Sequence, residues 1–185
     1  MNMVLIGYRG TGKSAVGRLL ADRLGLAFYD TDELVEMRGG QTIRALVEEK
    51  GWESFRQREK EVLRELSGID AAVIATGGGA VLDPENVRLL KRKGRLIWLD
   101  ADVQTLIARM QADTNNEQRR PSLTGSEPAD ETFAVMAARA PFYREATDLC
   151  VDTSGKSLDE IVDEICSKLD ELAKSRIIVQ DSTAS

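Results

Sequence analysis

Histidine is absent from all 185 residues of the sequence. Without an imidazole group, neither a Ser-His-Asp nor a Cys-His nucleophile system can be built, and no metal site can use a histidine ligand. Any chemistry must therefore depend on carboxylates, lysine, arginine, hydroxyl groups and backbone amides.

Cysteine is scarce, since the sequence has only two, Cys150 and Cys166. Their spacing fits neither a metal site nor a disulfide framework, and apolar neighbours such as Leu149 and Val151 predict buried thiols in a reducing compartment. Residues 1–4 show no basic stretch followed by a long apolar run, which predicts neither a signal peptide nor a membrane anchor. We expect a cytoplasmic protein.

Positive charge is also in deficit. Lysine and arginine number 25 against 31 aspartates and glutamates, which gives a net charge of -6 and an isoelectric point near 4.9. That sign is wrong for a general binder of nucleic acid or anionic membranes, so we expect neither partner. Basic residues that surround an anion must therefore be gathered locally.

Five short apolar runs are spaced widely enough for a helix between each pair. This alternation predicts one α/β domain over residues 1–174, built on a parallel sheet with crossover helices. Asp83 and Pro84 predict a helix start and Gly94 its end, while Ser157 and Glu160 form a capping box before the last helix. The predicted strands are Val4–Ile6, Ala27–Tyr29, Ala72–Ile74, Leu96–Leu99 and Leu149–Val151.

Three stretches depart from the alternation. Residues from Asp32 to about 60 or 66 are charged and helical without an apolar strand, which predicts a helical insert beside the sheet. Residues 111–127 are polar and contain Arg119, Arg120 and Pro121, which predicts a mobile surface segment and a candidate lid. The tail from Ser175 to Ser185 is predicted to be loose.

Residues Gly7 to Ser14, called the phosphate loop below, match the pattern G-x-x-x-x-G-K-S between the first strand and a helical stripe. The glycines let backbone amides converge on a phosphate group, Lys13 reaches the outer phosphates, and Ser14 can ligate magnesium. The pattern predicts a nucleoside triphosphate site formed by Gly10, Thr11, Gly12, Lys13, Ser14 and Ala15.

Two aspartates follow the second strand, where they should face the phosphate loop because the carboxyl ends of parallel strands share one crevice. Asp30 can hold magnesium through water. Asp32 can accept a hydrogen bond from an acceptor hydroxyl and take its proton. An N-cap for the helix that begins at Glu33 is the alternative role for Asp32.

Gly77, Gly78 and Gly79 end the third strand, where they permit either close approach of a ligand or a tight turn. Arginines in two further segments could reach the same space or could be solvated surface charges. These are Arg56 and Arg58 in the insert, and Arg139 and Arg144 before the fifth strand. Guanidinium groups suit a carboxylate, which makes an acidic substrate plausible.

Together these motifs resemble the shikimate kinase family in order and spacing, from Met3 to about Leu172. The resemblance implies ATP-dependent phosphorylation of the 3-hydroxyl of shikimate, a step towards chorismate and the aromatic amino acids, with Mg2+. It also implies a monomer with the three-layer fold of P-loop NTPases, similar to nucleoside-monophosphate kinases. That fold has a five-stranded parallel sheet of order 2-3-1-4-5, helices on both faces, a substrate-binding insert and a lid.

The resemblance also assigns residue roles. Shikimate contacts fall on Asp32, Arg56, Gly77, Gly78, Gly79 and Arg139. Magnesium positions fall on Ser14 and Asp30, and adenine contacts on Arg109 and Lys156. The catalytic set is Lys13, Asp32 and Arg120, where Arg120 is the lid arginine because it immediately precedes proline.

Two features of the sequence depart from the family pattern, and two rival functions are also compatible with the motifs. The lid is longer and more acidic than a minimal one, and Ala75 and Thr76 end the third strand without an acid, which leaves magnesium to Asp30.

A gluconate or nucleoside-monophosphate kinase could share the phosphate loop, and a regulatory module could bind nucleotide without transfer. The arginine pair favours a carboxylate over a nucleotide acceptor, but gluconate is also an acid.

Overall fold

The five apolar runs form one parallel sheet in the order β2-β3-β1-β4-β5. A computed structural model describes residues 1–112 and 128–182 of the chain. The strands are β1 (Asn2–Ile6), β2 (Ala27–Asp30), β3 (Ala72–Ala75), β4 (Gly94–Asp100) and β5 (Leu149–Asp152). The helices are α1 (Lys13–Leu24), α2 (Thr31–Gly39), α3 (Ile43–Leu66), α4 (Pro84–Lys91), α5 (Val103–Ala112), α6 (Pro128–Ala146) and α7 (Leu158–Ser182).

β1 lies at the centre of the sheet. Leu5 pairs with Ala75 of β3 on one side, and Ile6 pairs with Trp98 of β4 on the other. Val4, Leu5 and Ile6 have no solvent exposure, as expected for a parallel strand covered on both faces. The predicted strand order is confirmed, and it brings the carboxyl ends of β1, β2 and β3 to the same edge.

Helices cover both faces of the sheet and make three layers. On one face α1 and α7 pack through residues such as Leu20 and Ile165. On the other, α2, α3, α4 and α6 pack through residues such as Val35, Leu63 and Leu90. Full burial of one aliphatic side chain contributes about 1.5–3 kcal/mol, so these two cores hold the helices firmly against the strands.

Two predicted helix starts are confirmed, and the helix that begins at Pro84 ends before Gly94 as predicted. Asp83 accepts a hydrogen bond from Glu85 N at 2.8 Å, and Glu160 N donates to Ser157 Oγ at 3.3 Å. Gly94 is the first residue of β4 and does not itself cap α4, whose C-cap is Arg92. A Cβ at Gly94 would lie 2.6 Å from the Leu90 carbonyl oxygen, so close packing explains this glycine.

The predicted helical segment between β2 and β3 contains α2 and α3. Gly51 interrupts α3 with φ 78 and ψ 168, a backbone conformation that L-residues other than glycine rarely adopt. This change of direction lets the two parts of α3 pack along the same face of the sheet.

α7 is longer than predicted, because it continues to Ser182 through the segment assigned to a loose tail. The sequence from Ser157 onward contains neither glycine nor proline to stop it, and propagation adds one hydrogen bond per residue. Of the predicted lid at residues 111–127, only Gln111 and Ala112 are among the described residues, and they end α5. Residues 113–127 lie outside the described part of the chain. Among the described helices, none is long and apolar enough to cross a bilayer.

The prediction of buried cysteines is wrong. Cys150 is exposed and Cys166 is half-buried, and both are free thiols. Side chains alternate along β5, so Leu149 and Val151 face the core while Cys150 points outward. Along the same edge, Lys168 Nζ donates to the Cys150 carbonyl at 2.7 Å and Lys156 Nζ donates to that of Asp152 at 2.8 Å.

Candidate active site

The phosphate loop connects the end of β1 to the start of α1. Gly10 and Gly12 have φ 80 and φ 90, which a side chain would strain. These angles wrap the chain tightly before α1 begins at Lys13. The first amides of a helix have no intrahelical acceptor, so this turn forms an anion-binding cradle.

Lys13 is folded over the phosphate loop. Its Nζ donates to the carbonyl oxygens of Gly7 at 2.9 Å and Tyr8 at 2.7 Å, and the residue is 8% exposed. Thr11 Oγ1 donates to the same Tyr8 carbonyl at 2.8 Å. The ammonium group is therefore held at the cradle, where it can meet phosphate oxygens.

Ser14 and Asp30 lie side by side, since Ser14 Oγ donates to Asp30 Oδ2 at 2.6 Å. Asp30 Oδ1 accepts from Asp32 N at 3.0 Å and from Glu33 N at 3.3 Å, which makes Asp30 the N-cap of α2. The alternative role of Asp32 as the N-cap is therefore wrong. Asp32 keeps its carboxylate for other partners.

This hydroxyl and carboxylate fit magnesium, which prefers few protein oxygens and takes the rest from water and phosphate. Within residues 1–112 and 128–182 there is no group of three or more acidic or cysteine side chains that could form a cage of protein ligands. Ser14 and Asp30 could hold Mg2+ beside a triphosphate, and this role stays a prediction.

A pocket opens between the phosphate loop, the helices after β2 and the glycines after β3. We call it the arginine pocket. Asp32 lines it and is only 8% exposed, so its carboxylate faces inward and not towards bulk solvent. The lining residues are Tyr8, Arg9, Asp32, Ile43, Trp52, Phe55, Arg56, Glu59, Gly77, Gly78, Gly79 and Arg139.

The three glycines serve both predicted purposes. They turn the chain into a short 3-10 helix, with Ala80 N donating to the Gly77 carbonyl at 3.1 Å. They also leave space for side chains. A Cβ at Gly77 would lie 2.4 Å from Glu59 Oε1 and 2.8 Å from Asp32 Oδ1, and one at Gly79 would lie 2.3 Å from Arg56 Nη2.

Two of the four candidate arginines converge on this pocket. Arg56 Nη1 donates to Glu59 Oε2 at 2.6 Å, and Arg139 Nη1 donates to the Gly78 carbonyl at 3.2 Å. Arg58 does not line the pocket and instead approaches Gly39, while Arg144 borders a different cavity beside α5.

Tyr143 supports the same wall, because its hydroxyl donates to the Gly78 carbonyl that also accepts from Arg139. Burial raises the pKa of Tyr143 to about 12, so the phenol stays protonated and remains a donor at physiological pH. The sequence showed Tyr143 beside the Arg139 segment but did not indicate this contact.

Glu59 also lines the arginine pocket, and the sequence analysis did not single it out. Its side chain is 1% exposed, and its Oε1 accepts no hydrogen bond from any residue that the structure describes. A signal was present in the pattern, since Glu59 interrupts the buried stripe of α3 formed by Phe55, Val62, Leu63 and Leu66. A carboxylate in an apolar stripe, three residues after an arginine, indicates a paired internal charge.

Burial raises the pKa of the Glu59 carboxyl above its ordinary value. Arg56 opposes this rise, and the charge of Asp32 reinforces it. A raised pKa in the folded state means that protonation stabilises the fold. This stabilisation is complete below the ordinary carboxyl pKa and is lost as the pH rises through the folded-state value.

A Glu59→Gln variant should therefore gain stability relative to the parent as the pH rises from about 4 to 8, because glutamine resembles the neutral form. Urea unfolding at several pH values measures the difference in free energy of unfolding. Glu61→Gln, at an exposed position of the same helix, is the matched control and should show no such trend. A constant difference between parent and Glu59→Gln would contradict the raised pKa.

The two predicted adenine contacts differ in their surroundings. Arg109 lies against the phosphate loop, donating to the Gly10 carbonyl at 3.4 Å and to Thr153 Oγ1 at 2.9 Å. Lys156 pairs with Glu164 at 2.7 Å on the loop that follows β5. Both roles stay predictions, and Arg120 lies outside the described residues.

The fold and this pair of adjoining sites define a P-loop phosphotransferase, with an anion cradle for the donor and a charged pocket for a small acceptor. A sequence model of the shikimate kinase family matches residues 9–170. The chain belongs to the shikimate kinase family. Shikimate kinases use ATP as co-substrate with Mg2+.

Individual relatives agree with this assignment. The shikimate kinase of Symbiobacterium thermophilum is 48% identical over 92% of this chain and 97% of its own length. The shikimate kinase of Syntrophus aciditrophicus is 44% identical over 89% of this chain and 88% of its own length. A solved shikimate kinase from Acinetobacter baumannii in complex with shikimate is 34% identical, with a TM-score of 0.86 over 92% of this chain and 93% of that one. These relatives favour the shikimate kinase prediction over a gluconate-type kinase or a regulatory module.

Proposed function

We propose that this chain transfers the γ-phosphoryl group of ATP to the 3-hydroxyl of shikimate, giving shikimate 3-phosphate and ADP. The observation that carries the proposal is the shared wall of the two sites. Tyr8 and Arg9 of the phosphate loop line the arginine pocket together with Asp32, Arg56 and Arg139. An acceptor in this pocket therefore lies next to the cradle for the triphosphate.

Charge and shape support shikimate as the acceptor. Arg56 and Arg139 present guanidinium groups that suit a carboxylate, and Asp32 presents an acceptor for hydroxyl groups. The glycines at 77–79 keep the third wall free of side chains. The Acinetobacter baumannii relative, solved in complex with shikimate, supports the same choice of ligand.

In the reaction, Asp32 orients the attacking hydroxyl and accepts its proton. Lys13 and the loop amides from Gly10 to Ala15 neutralise the phosphate charge, and Arg120 is proposed to add a further positive charge. Phosphoryl transfer needs mainly alignment and charge neutralisation, so these roles account for most of the catalysis. Ser14 and Asp30 would hold Mg2+, which would shield the negative charge of the phosphate oxygens. Arg109 and Lys156 are proposed to contact adenine.

ADP release measured with shikimate, quinate and gluconate tests the proposal. We expect one ADP per shikimate consumed, dependent on magnesium, with phosphate on the 3-hydroxyl by 31P and 1H NMR. Quinate tests whether the pocket selects the shikimate ring, and gluconate tests the rival sugar-acid kinase. Preference for gluconate, or nucleotide binding without transfer to any acceptor, would refute the proposed function.

A Gly79→Ala variant tests the role of the glycine wall. Gly79 has φ -108 and ψ 2, which alanine tolerates, but its Cβ would displace the Arg56 guanidinium. We expect the KM for shikimate to rise about tenfold with a melting temperature close to the parent value. Gly39→Ala is the matched control, since its Cβ would lie 2.6 Å from Arg58 Nη1, outside the pocket. Equal KM values for the two variants would argue against the assignment.

We further propose a cytoplasmic monomer in which α2 and the first part of α3 are the substrate-binding insert and residues 111–127 the lid. Two free thiols suit a reducing compartment.

A further inference from the structure

The phosphate loop contributes side chains as well as amides. Tyr8 and Arg9 occupy variable positions of the motif, where nucleotide binding specifies no residue type. Both line the arginine pocket, and Tyr8 is 2% exposed. The loop therefore forms one wall of the site for the acceptor.

Arg9 lies at the boundary between the two sites. Its backbone nitrogen would be 3.5 Å from a Cβ at Gly78, so the loop and the glycine wall meet here. Its guanidinium carbon is 5.7 Å from the centre of the Tyr8 ring, and that of Arg139 is 6.0 Å from the same ring. Tyr8 thus contacts the guanidinium groups of two arginines that line the pocket.

Among the residues that the structure describes, the charged ones that line the pocket are three arginines and two carboxylates. Arg56 is paired with Glu59 at 2.6 Å, and Asp32 offsets a second positive charge. Without Arg9, the charged side chains of the wall would balance. A carboxylic acid entering this pocket needs an excess of positive charge, and Arg9 supplies it.

We infer that Arg9 is a third arginine of the acceptor site, which binds the anionic acceptor directly and gives the pocket its net attraction for hydroxy acids. The inference rests on the proposed function, because it concerns affinity for shikimate. It assigns to the phosphate loop a part in acceptor recognition that is independent of its part in nucleotide binding.

Arg9→Met removes the charge and keeps a long side chain. We expect its KM for shikimate to rise about tenfold, the lower end of what a hydrogen bond to a charged group contributes, while the KM for ATP stays close to the parent value. The kcat/KM for shikimate should also fall less steeply with added salt, because one attracting charge is missing. Arg9→Lys should restore the salt dependence and part of the affinity.

Arg64→Ala is the matched control, since Arg64 is an exposed arginine that pairs with Glu85 away from the pocket. Its KM for shikimate and the salt dependence of its kcat/KM should equal those of the parent. Equal KM and salt dependence in Arg9→Met and Arg64→Ala would overturn the inference. So would a KM change without a change in salt dependence, or an equal rise in the KM for ATP, since either result indicates a distorted loop. Failure of the parent chain to phosphorylate shikimate would instead refute the proposed function.

Discussion

An Asp32→Asn variant should turn over shikimate about 10^2- to 10^4-fold more slowly than the parent while binding ATP equally well, which is the range that general base catalysis contributes. Asparagine keeps the size of the side chain and can still accept a hydrogen bond from an acceptor hydroxyl. It cannot take up the proton. Because Asp32 is 8% exposed in the arginine pocket, water cannot easily replace it as the base.

A coupled ADP assay gives kcat, and isothermal titration calorimetry gives the affinity for ATP. Asp163→Asn, at an exposed aspartate of α7, controls for the loss of one negative charge. Turnover near the parent value in Asp32→Asn would remove Asp32 from the proton-transfer step. A parallel loss of ATP binding would show that the substitution disturbs the neighbouring Asp30 and Ser14 instead.

Lys13→Ala should lower kcat by at least about 10^3-fold, at the upper end of what removal of one preorganised donor costs. Lys13 is 8% exposed and its ammonium group is held at the cradle by the Gly7 and Tyr8 carbonyls, so it is already placed when the triphosphate arrives. No other side chain of the phosphate loop carries a charge there except Arg9, which lines the neighbouring pocket.

Activity measured beside circular dichroism and thermal unfolding separates loss of catalysis from loss of fold. Lys13→Met tests whether the apolar stem alone restores the loop, and Lys91→Ala, at the exposed last residue of α4, controls for net charge. We expect a native spectrum and a kcat at least about 10^3-fold below that of the parent for both Lys13 variants. Substantial turnover by Lys13→Met would contradict the role of the ammonium group.

Features that depend only on residues close together in the sequence could be predicted well. The five strands are short apolar runs, because a central strand such as β1 is buried on both faces. The phosphate loop is a contiguous motif, so its eight residues could be identified without a structure. Caps such as Asp83 and Ser157 also depend on neighbours only two or three residues away.

Features that depend on distant contacts could not be predicted in the same way. Gly94 looks like a helix end, but its real constraint is the Leu90 carbonyl and the adjacent strand β1. Cys150 has apolar neighbours, yet its side chain points outward because successive side chains of β5 alternate between the core and solvent. Glu59 and Arg9 join Asp32 only through tertiary packing, since α3 and the phosphate loop are far apart in sequence.

The lysines beside β5 have a consequence for solubility. β5 is the last strand of the sheet, and its outward carbonyls at Cys150 and Asp152 are occupied by Lys168 and Lys156. Unoccupied carbonyls on an outer strand can template the addition of a strand from another molecule, and lysine on such an edge discourages this. The two ammonium groups therefore protect the sheet from intermolecular growth into aggregates.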